Sequence, residues 1–259
     1  MPSKIDLPFA LGARYKDDPK DYGYRHAQKV LTCAADMDRP AKVDNRPMFA
    51  HVPIWDQGRE GACTGMAVAA ALSVLHGVEL SPRFTLDEAA KPYDEWPGEH
   101  YDGSSVRGAC KGSTIVGSCD HPLWPWIPFQ TGGKSPDADS NALMHLLTRY
   151  ERLNGITEML HAINEVGYCV VTVDVHTGWI KPTSKHRIRY SSRYVARGLH
   201  AVVLLGDDEI DGYFLVRNSW KDIWGDGGHA WLKFDDWAAN GLDAWALFYE
   251  DAPCPTGSG

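Results

Sequence analysis

The pattern of hydrophobic and polar positions predicts different kinds of structure in the two halves of this chain. The segment 67–75 is apolar at every position except Ser73, and a helix that is apolar on all sides has to be buried on all sides. After Gly167 the chain turns to short runs rich in valine and aromatic residues, separated by Gly/Asp turns, which predicts strands. The strand runs are YCVVTVDV, HAVVLLG, YFLVRN, HAWLKF and AWALFYE. Further helical patterns lie at 85–96, 104–111, 141–153 and 156–166.

This order of elements predicts an α+β fold built from two lobes. At 259 residues and with 44% hydrophobic residues, the chain is large enough to bury a core shared by both lobes. The predicted parts are an N-terminal extension over 1–41, a mainly helical lobe over 42–155, a mainly β lobe over 156–250 and a C-terminal tail over 251–259.

Charge and hydropathy narrow the range of partners. The formal net charge is -8 and the pI is near 5.7, which argues against a nucleic acid or an anionic membrane surface as partner. No run approaches the roughly 18 apolar residues of a membrane helix. The first residues also lack the long apolar core and small-residue cleavage site of a secretory signal. We therefore expect a cytoplasmic protein, or one that is exported without a cleaved signal.

The six cysteines are scattered along the chain without the spacing of a disulfide framework. Cys110, Cys119 and His121 lie close together in the sequence, but their spacing fits no common zinc pattern. We predict reduced thiols, no metal site and no cofactor.

One cysteine has a setting that favours reactivity. Cys63 ends a loop that contains Gly58 and Gly61, and it begins the apolar helix. The thiolate is the reactive form of cysteine, and a helix N-terminus favours negative charge. His200 opens the strand HAVVLLG, and Asn218 ends the strand YFLVRN. Each signal has an ordinary alternative when taken alone, since the thiol could be buried and inert and the histidine could be structural.

Taken together, these segments resemble the papain-like cysteine proteases. In that family a glutamine precedes the nucleophile by six positions, as Gln57 precedes Cys63 in DQGREGAC. HAVVLLG and VRNSWKDIWGDGGHAWL resemble the histidine and asparagine motifs of the family. His200 lies 137 residues after Cys63 and Asn218 lies 155 residues after it. The family places them roughly 130–150 residues after the nucleophile, so the first spacing fits and the second is slightly long. The likeness extends weakly over residues 43–248.

The resemblance implies a fold and a mechanism. The fold would have a helical lobe with the nucleophile helix, an antiparallel barrel-like β lobe and an active-site cleft between them. Cys63 as a thiolate would attack a peptide carbonyl, and His200 as an imidazolium would hold the thiolate and protonate the leaving amine. Asn218 would orient His200, and Trp220 would shield that contact from water. Gln57 and the backbone N–H of Cys63 would form the oxyanion hole.

The resemblance also implies how a substrate would be held. Gly103 and Ser104, in YDGSSVRGA, would hydrogen-bond an extended peptide through their backbone. Ala201 would line the pocket for the side chain before the scissile residue. Trp220 would also contact the substrate. The partner implied is a peptide or protein substrate.

Two departures from the family pattern indicate a divergent, microbial branch. The family commonly has a cysteine three residues before the nucleophile, which forms a disulfide, and here that residue is Glu60. An aromatic residue usually follows the nucleophile, and here it is Thr64. The substrate therefore does not follow from the lysosomal and plant members.

Two other functions are compatible with the same residues or the same fold. An acyl transferase or peptide cyclase would form the same acyl-enzyme and transfer it to an amine instead of water. A catalytically inactive binding module on this fold is the third hypothesis.

The extension 1–41 has two interpretations. It is either a short latch in or near the cleft, like the pro-segments of the family, or a structural strap on the outer surface of the lobes. We favour the strap, because the extension lacks the helical period of the usual pro-segment.

Overall fold

The computed structural model describes residues 10–15, 39–94 and 103–249. Most of the extension 1–41 and the whole tail 251–259 therefore lie outside the described residues, as do Cys33 and Cys254. Among the described residues no helix is both long and apolar enough to cross a membrane.

The apolar run after Cys63 forms the central helix α1 (Cys63–His76), and most of its residues are buried. Its small residues let neighbouring elements come close, since a Cβ on Gly65 would lie 2.7 Å from the Cβ of Leu86. The helix ends at Gly77, whose φ of 67° is the left-handed conformation that commonly closes a helix. The buried helix that the sequence predicts is thus present and begins at the cysteine.

Most of the described strands join one antiparallel sheet. In chain order the strands are β1 (Ala13–Arg14), β2 (Lys42–Asp44), β3 (Ser104–Ser105), β4 (Arg149–Arg152), β5 (Cys169–His176), β6 (Ala196–Asp208), β7 (Tyr213–Arg217), β8 (His229–Lys233) and β9 (Gly241–Phe248). The order of strands in the sheet is β4-β9-β5-β6-β7-β8, and β2 pairs with the far end of β6. β1 and β3 form a separate parallel pair.

Short helices surround α1 and the sheet. The stretch after Gly77 continues as three consecutive helical pieces, the middle one of which is π-helical. The α-helices are Pro82–Phe84, Lys91–Tyr93, Val106–Ser113, Ala138–Ala142, Ile156–Glu165 and Phe234–Asn240. The remaining helical pieces are the π-helix Thr85–Ala90 and the 3-10 helices Arg46–Phe49, His121–Leu123, Leu143–His145 and Thr177–Trp179.

The sheet buries both of its faces. In β6, Ala201 and Val203 belong to the core around α1, whereas Val202 and Leu204 belong to a second core on the opposite face. This alternation follows from the two-residue period of a strand. Helix Ile156–Glu165 contributes to the second core. The α+β class with a helical lobe packed on an antiparallel sheet is confirmed.

One predicted helix is wrong over most of its length. The pattern at 141–153 becomes the end of helix Ala138–Ala142, a 3-10 turn and then β4. The reason is tertiary, since Arg149–Arg152 pairs with Trp245–Phe248 of β9, which lies far away in the sequence. β2 and β4 therefore belong to the sheet although both fall inside the range expected for the helical lobe.

Candidate active site

The loop before α1 turns the side chain of Gln57 towards the cleft. Gln57 is fully buried, and its backbone N–H donates to Ser219 O at 3.0 Å. The Ser219 hydroxyl donates to Gln57 Oε1, so the amide nitrogen points the other way. Gln57 Nε2 donates to Ala10 O at 3.0 Å and to Glu60 O at 3.2 Å. An amide N–H is thereby directed at a carbonyl oxygen in the cleft.

Cys63 is the first residue of α1, and its side chain is fully buried. Burial raises the pKa of the Cys63 thiol, and the nearby backbone N–H groups of Ala201, Gly12 and Thr64 lower it only in part. The same contacts locate the sulfur, since it lies against β6 at Ala201 and against the N-terminal segment at Gly12.

His200 lies on β6, directly before Ala201, and is fully buried. Its Nε2 is 2.8 Å from Asn218 Oδ1, which also accepts from the backbone N–H of Ser219. Because an amide oxygen can only accept, Nε2 carries the proton and Nδ1 is the basic nitrogen. Within the described part of the chain, His200 Nδ1 has no hydrogen-bond partner.

Two tryptophan rings enclose the imidazole. The Trp220 ring stacks on His200 with 4.7 Å between ring centroids and 22° between planes. Trp179 meets the same imidazole edge-on at 6.5 Å. Burial lowers the pKa of His200 to about 4, although the hydrogen bond to Asn218 acts to raise it.

These pKa directions differ from the thiolate–imidazolium pair that the sequence predicts. With the cleft filled, a raised thiol pKa and a lowered imidazole pKa favour a neutral thiol and a neutral ring. The physical cause is burial, which penalises the charged form of each group.

The N-terminal segment 10–15 runs through the site. Ser104 N–H donates to Gly12 O at 3.0 Å, and Ala13–Arg14 pairs in parallel with Ser104–Ser105. A Cβ on Gly12 would lie 2.4 Å from Gly61 O, so only glycine fits at this point. This placement differs from the outer-surface strap for these six residues and corresponds to the latch interpretation.

A second piece of the extension does lie along the β lobe. Arg39 pairs with Asp207 at 3.0 Å and with Glu209, and β2 follows directly. The extension is thus held at two separate places, in the cleft and at the far end of β6.

The residues expected to bind substrate also lie around segment 10–15. Gly103 has a φ of 124°, and a Cβ there would lie 1.9 Å from Gly12 O. The backbone of Ser104 pairs with an extended segment, which here is the chain's own. Ala201 lies against the sulfur, whereas Trp220 is 1% exposed and covers the imidazole.

Several residues at this site were missed by sequence reasoning. Ser219 accepts and donates hydrogen bonds that position Gln57, and Trp179 packs against the His200 imidazole. Arg83 forms an ion pair with Glu60. Glu60 itself was visible as a departure from the family pattern, but its partner was not. Arg83 lies in an ordinary helical stretch, and nothing local marks it as part of the site.

The described residues contain no group of three or more His, Cys, Asp or Glu side chains that could hold a metal ion. Cys110 belongs to the core around α1, whereas Cys119 belongs to a separate small core. His121 accepts from Trp126 N–H at 3.0 Å and contacts Glu79. The four described cysteines, Cys63, Cys110, Cys119 and Cys169, are free and buried.

Comparison with known proteins gives consistent matches. The family described as Papain family cysteine protease matches residues 125–243, which include His200 and Asn218. The chain is 26% identical over 200 residues to Cathepsin L 2 of Paramecium tetraurelia, covering 75% of this chain and 59% of that protein. It is 22% identical over 208 residues to a cysteine protease of Blomia tropicalis, covering 75% and 61%. The chain therefore spans about three fifths of the length of these relatives.

A solved structure extends the comparison to the whole fold. Xylellain, a cysteine protease from Xylella fastidiosa, superposes with a TM-score of 0.76 at 22% identity, covering 93% of this chain and 96% of that chain. The fold and the site together define a two-lobed papain-like protein with a cysteine at the start of its central helix. The chain is similar to the papain family of cysteine proteases in sequence over residues 125–243, and its fold is papain-like.

Proposed function

We propose that this chain is a thiol peptidase that hydrolyses peptide bonds through Cys63, His200 and Asn218. The observation that carries the proposal is that the Cys63 sulfur lies against Ala201, the residue that follows His200 on β6. His200 offers Nδ1 while its Nε2 is bonded to Asn218. A nucleophile, a base and a group that orients the base are what covalent catalysis requires.

The proposed reaction passes through a thioester. Cys63 gives its proton to His200 Nδ1, and the sulfur attacks the substrate carbonyl carbon as the C=O electron pair moves to oxygen. Gln57 Nε2 and the backbone N–H of Cys63 donate to this oxyanion. When the C–N bond breaks, His200 returns the proton to the departing amine. His200 then takes a proton from water, whose oxygen attacks the thioester and releases the acid and the free thiol.

The test compares two cysteine variants on a peptide library. Cys63→Ala should abolish hydrolysis without changing thermal unfolding, because a small residue fits the start of α1. Cys119→Ala, the matched control, should retain turnover, because Cys119 lies in a separate core. Full activity of Cys63→Ala would refute the mechanism. A folded chain that starts at Lys42 and neither cleaves peptides nor reacts with a thiol probe would instead favour the inactive binding module. Products joined to an added amine would favour acyl transfer.

We also infer that segment 10–15 keeps the peptidase latent. It takes up three parts of the site at once: Ala10 O accepts from Gln57, Gly12 lies against the Cys63 sulfur, and β1 pairs with β3. A substrate carbonyl would need the same amide donor and the same access to sulfur. The two therefore compete for one place.

Latency is tested by removing or displacing the segment. A chain that starts at Lys42 should cleave peptides faster than the full chain. Gly12→Val in the full chain should also raise the rate, by about tenfold for each 1.4 kcal/mol of lost segment binding. Gly132→Val is the matched control, because a Cβ at Gly132 meets nothing within 4 Å. An unchanged rate for Gly12→Val together with an aggregating truncation would favour the strap.

A further inference from the structure

A buried ion pair lies behind the loop that carries Gln57. Arg83 Nη1 binds Glu60 Oε1, and Arg83 Nη2 binds Glu60 Oε2 at 2.9 Å. The Arg83 side chain is fully buried and that of Glu60 is 11% exposed. Two-point binding between a guanidinium and a carboxylate is strong and fixes direction as well as distance. Burying two charges is nevertheless costly, and such a pair is weak evidence for stability.

Two further hydrogen bonds connect the pair to a third segment. The backbone N–H of Phe129 donates to Glu60 Oε2, and Arg83 Nη2 donates to Ile127 O at 2.8 Å. The guanidinium also lies 4.1 Å from the centre of the Trp126 ring. Burial alone would raise the pKa of Glu60, but its hydrogen bonds from Arg83 and Phe129 hold the pKa below its usual range. The carboxylate therefore stays charged and fully bonded.

The backbone of Glu60 is in direct contact with both sides of the oxyanion site. Its carbonyl accepts from Gln57 Nε2 at 3.2 Å and from Ala62 N–H at 2.8 Å. Its own N–H donates to Gln57 O at 3.2 Å. Glu60 thus stands midway between Gln57 and Cys63, and fixing its side chain fixes the turn that joins them.

We propose that Glu60 is a positioning residue, and that its clamp by Arg83 holds the Gln57 amide and the Cys63 backbone N–H in the geometry needed to bind the oxyanion. The proposal rests on the peptidase function proposed above. Glu60 stands where the papain family commonly has a disulfide cysteine, and here an ionic clamp ties the same loop to its surroundings without a covalent bond. The clamp touches no part of the substrate, so its effect is on catalysis and not on ground-state binding.

Two probes of the full chain separate positioning from general damage. A peptide aldehyde adds to the Cys63 sulfur and places an oxyanion-like oxygen at the Gln57 donor, whereas iodoacetamide alkylates the sulfur without using that donor. Segment 10–15 obstructs both probes, so the ratio of aldehyde affinity to alkylation rate reports on the donor geometry. We expect Glu60→Gln to lower this ratio roughly 10- to 100-fold, because a misplacement of about 1 Å can cost about 100-fold.

Further variants identify the clamp as the cause. Arg83→Met should lower the ratio as much as Glu60→Gln, and the double variant should cost little more than either single one. Arg83→Lys keeps the charge but loses the two-point contact, so its ratio should lie between those of wild type and Arg83→Met. It replaces Glu60→Gln as the test if that variant does not fold. Asp236→Asn is the matched control, because it weakens a buried pair with His176 in the other lobe. It should leave the ratio unchanged.

The outcomes distinguish this proposal from the one it rests on. If the wild type hydrolyses peptides and the Glu60→Gln ratio equals that of wild type, the clamp is overturned and the peptidase stands. If Asp236→Asn lowers the ratio as much as Glu60→Gln, the effect is general loosening and the clamp is again overturned. If neither the wild type nor the chain that starts at Lys42 hydrolyses peptides or binds the aldehyde, the peptidase proposal fails and the clamp fails with it.

Discussion

The Gln57–Cys63 loop and the His200 strand face each other across the cleft and are held by different interactions. The loop is fixed by hydrogen bonds between Gln57 and Ser219 and by the ion pair of Glu60 with Arg83. His200 is fixed by one hydrogen bond and two tryptophan rings. Hydrogen bonds and charges define direction, as a donor aimed at an oxyanion requires. Aromatic walls define a ring plane and exclude water, as a base with a shifted pKa requires.

Replacement of His200 should produce the largest effect. Without the imidazole no group accepts the thiol proton, so we expect His200→Ala to lower kcat/KM roughly 10⁴-fold or more. Steady-state kinetics on the truncated chain measures it. His51→Gln, which alters a histidine bonded to Ser73 O, is the control. If His200→Ala keeps most of the activity, another histidine is the base. The His200 strand would then have no catalytic role to compare with that of the Gln57–Cys63 loop.

Gln57→Ala tests the polar side of the cleft. It should lower kcat by about 100- to 1000-fold and leave KM nearly unchanged, because the donor acts mainly on the developing oxyanion. A separate determination of kcat and KM decides between the two roles. A raised KM with unchanged kcat would mean that Gln57 binds the ground state.

Asn218→Ala tests how well the Trp179 and Trp220 rings orient the His200 imidazole without the hydrogen bond. The rings of Trp179 and Trp220 remain in place, so we expect a smaller loss of kcat of about 10- to 100-fold, from misorientation of the imidazole. The rate of Cys63 alkylation as a function of pH should shift as well. A loss as large as that of His200→Ala would show that the rings do not hold the imidazole.

The smallest effect concerns stability in acid. Burial lowers the pKa of His200 to about 4, and burial together with the nearby charge of Arg217 lowers that of His229 to about 4. The unfolded chain binds these protons near pH 6.5. The free energy of unfolding is therefore highest above pH 6.5 and falls as the pH drops towards 4, by about 1–2 kcal/mol per histidine between pH 7 and 5.

Urea unfolding at several pH values measures this dependence. His229→Gln should remove one of the two contributions and flatten the curve. A pH-independent unfolding free energy over this range would show that neither histidine stays neutral in the folded protein.

The candidate site residues that the sequence could suggest lie in local motifs. Gln57, Cys63, His200 and Asn218 are each surrounded by a pattern that can be read within a few positions. The helix after Cys63 was equally visible, because an unbroken apolar run with small residues has few alternatives to a buried helix.

The features that could not be predicted from the sequence depend on residues that are distant along the chain. Residues 149–152 look helical by local pattern and become a strand because β9 pairs with them. Arg83 acquires its role only when the fold brings it to Glu60. Burial likewise raises the pKa of Cys63 and lowers that of His200, and sequence spacing does not reveal burial.

The two attachment points of the extension affect how strongly the cleft is occupied. Residues 10–15 lie in the cleft and Arg39 is anchored at the end of β6, so residues 16–38 form a covalent tether between them. Because the connection is covalent, segment 10–15 competes for the cleft as part of the same molecule, whatever the protein concentration. A single cut within the tether would turn the segment into a separate ligand whose binding depends on dilution. At high dilution the proposed latency would then be lost, although no contact in the cleft had changed.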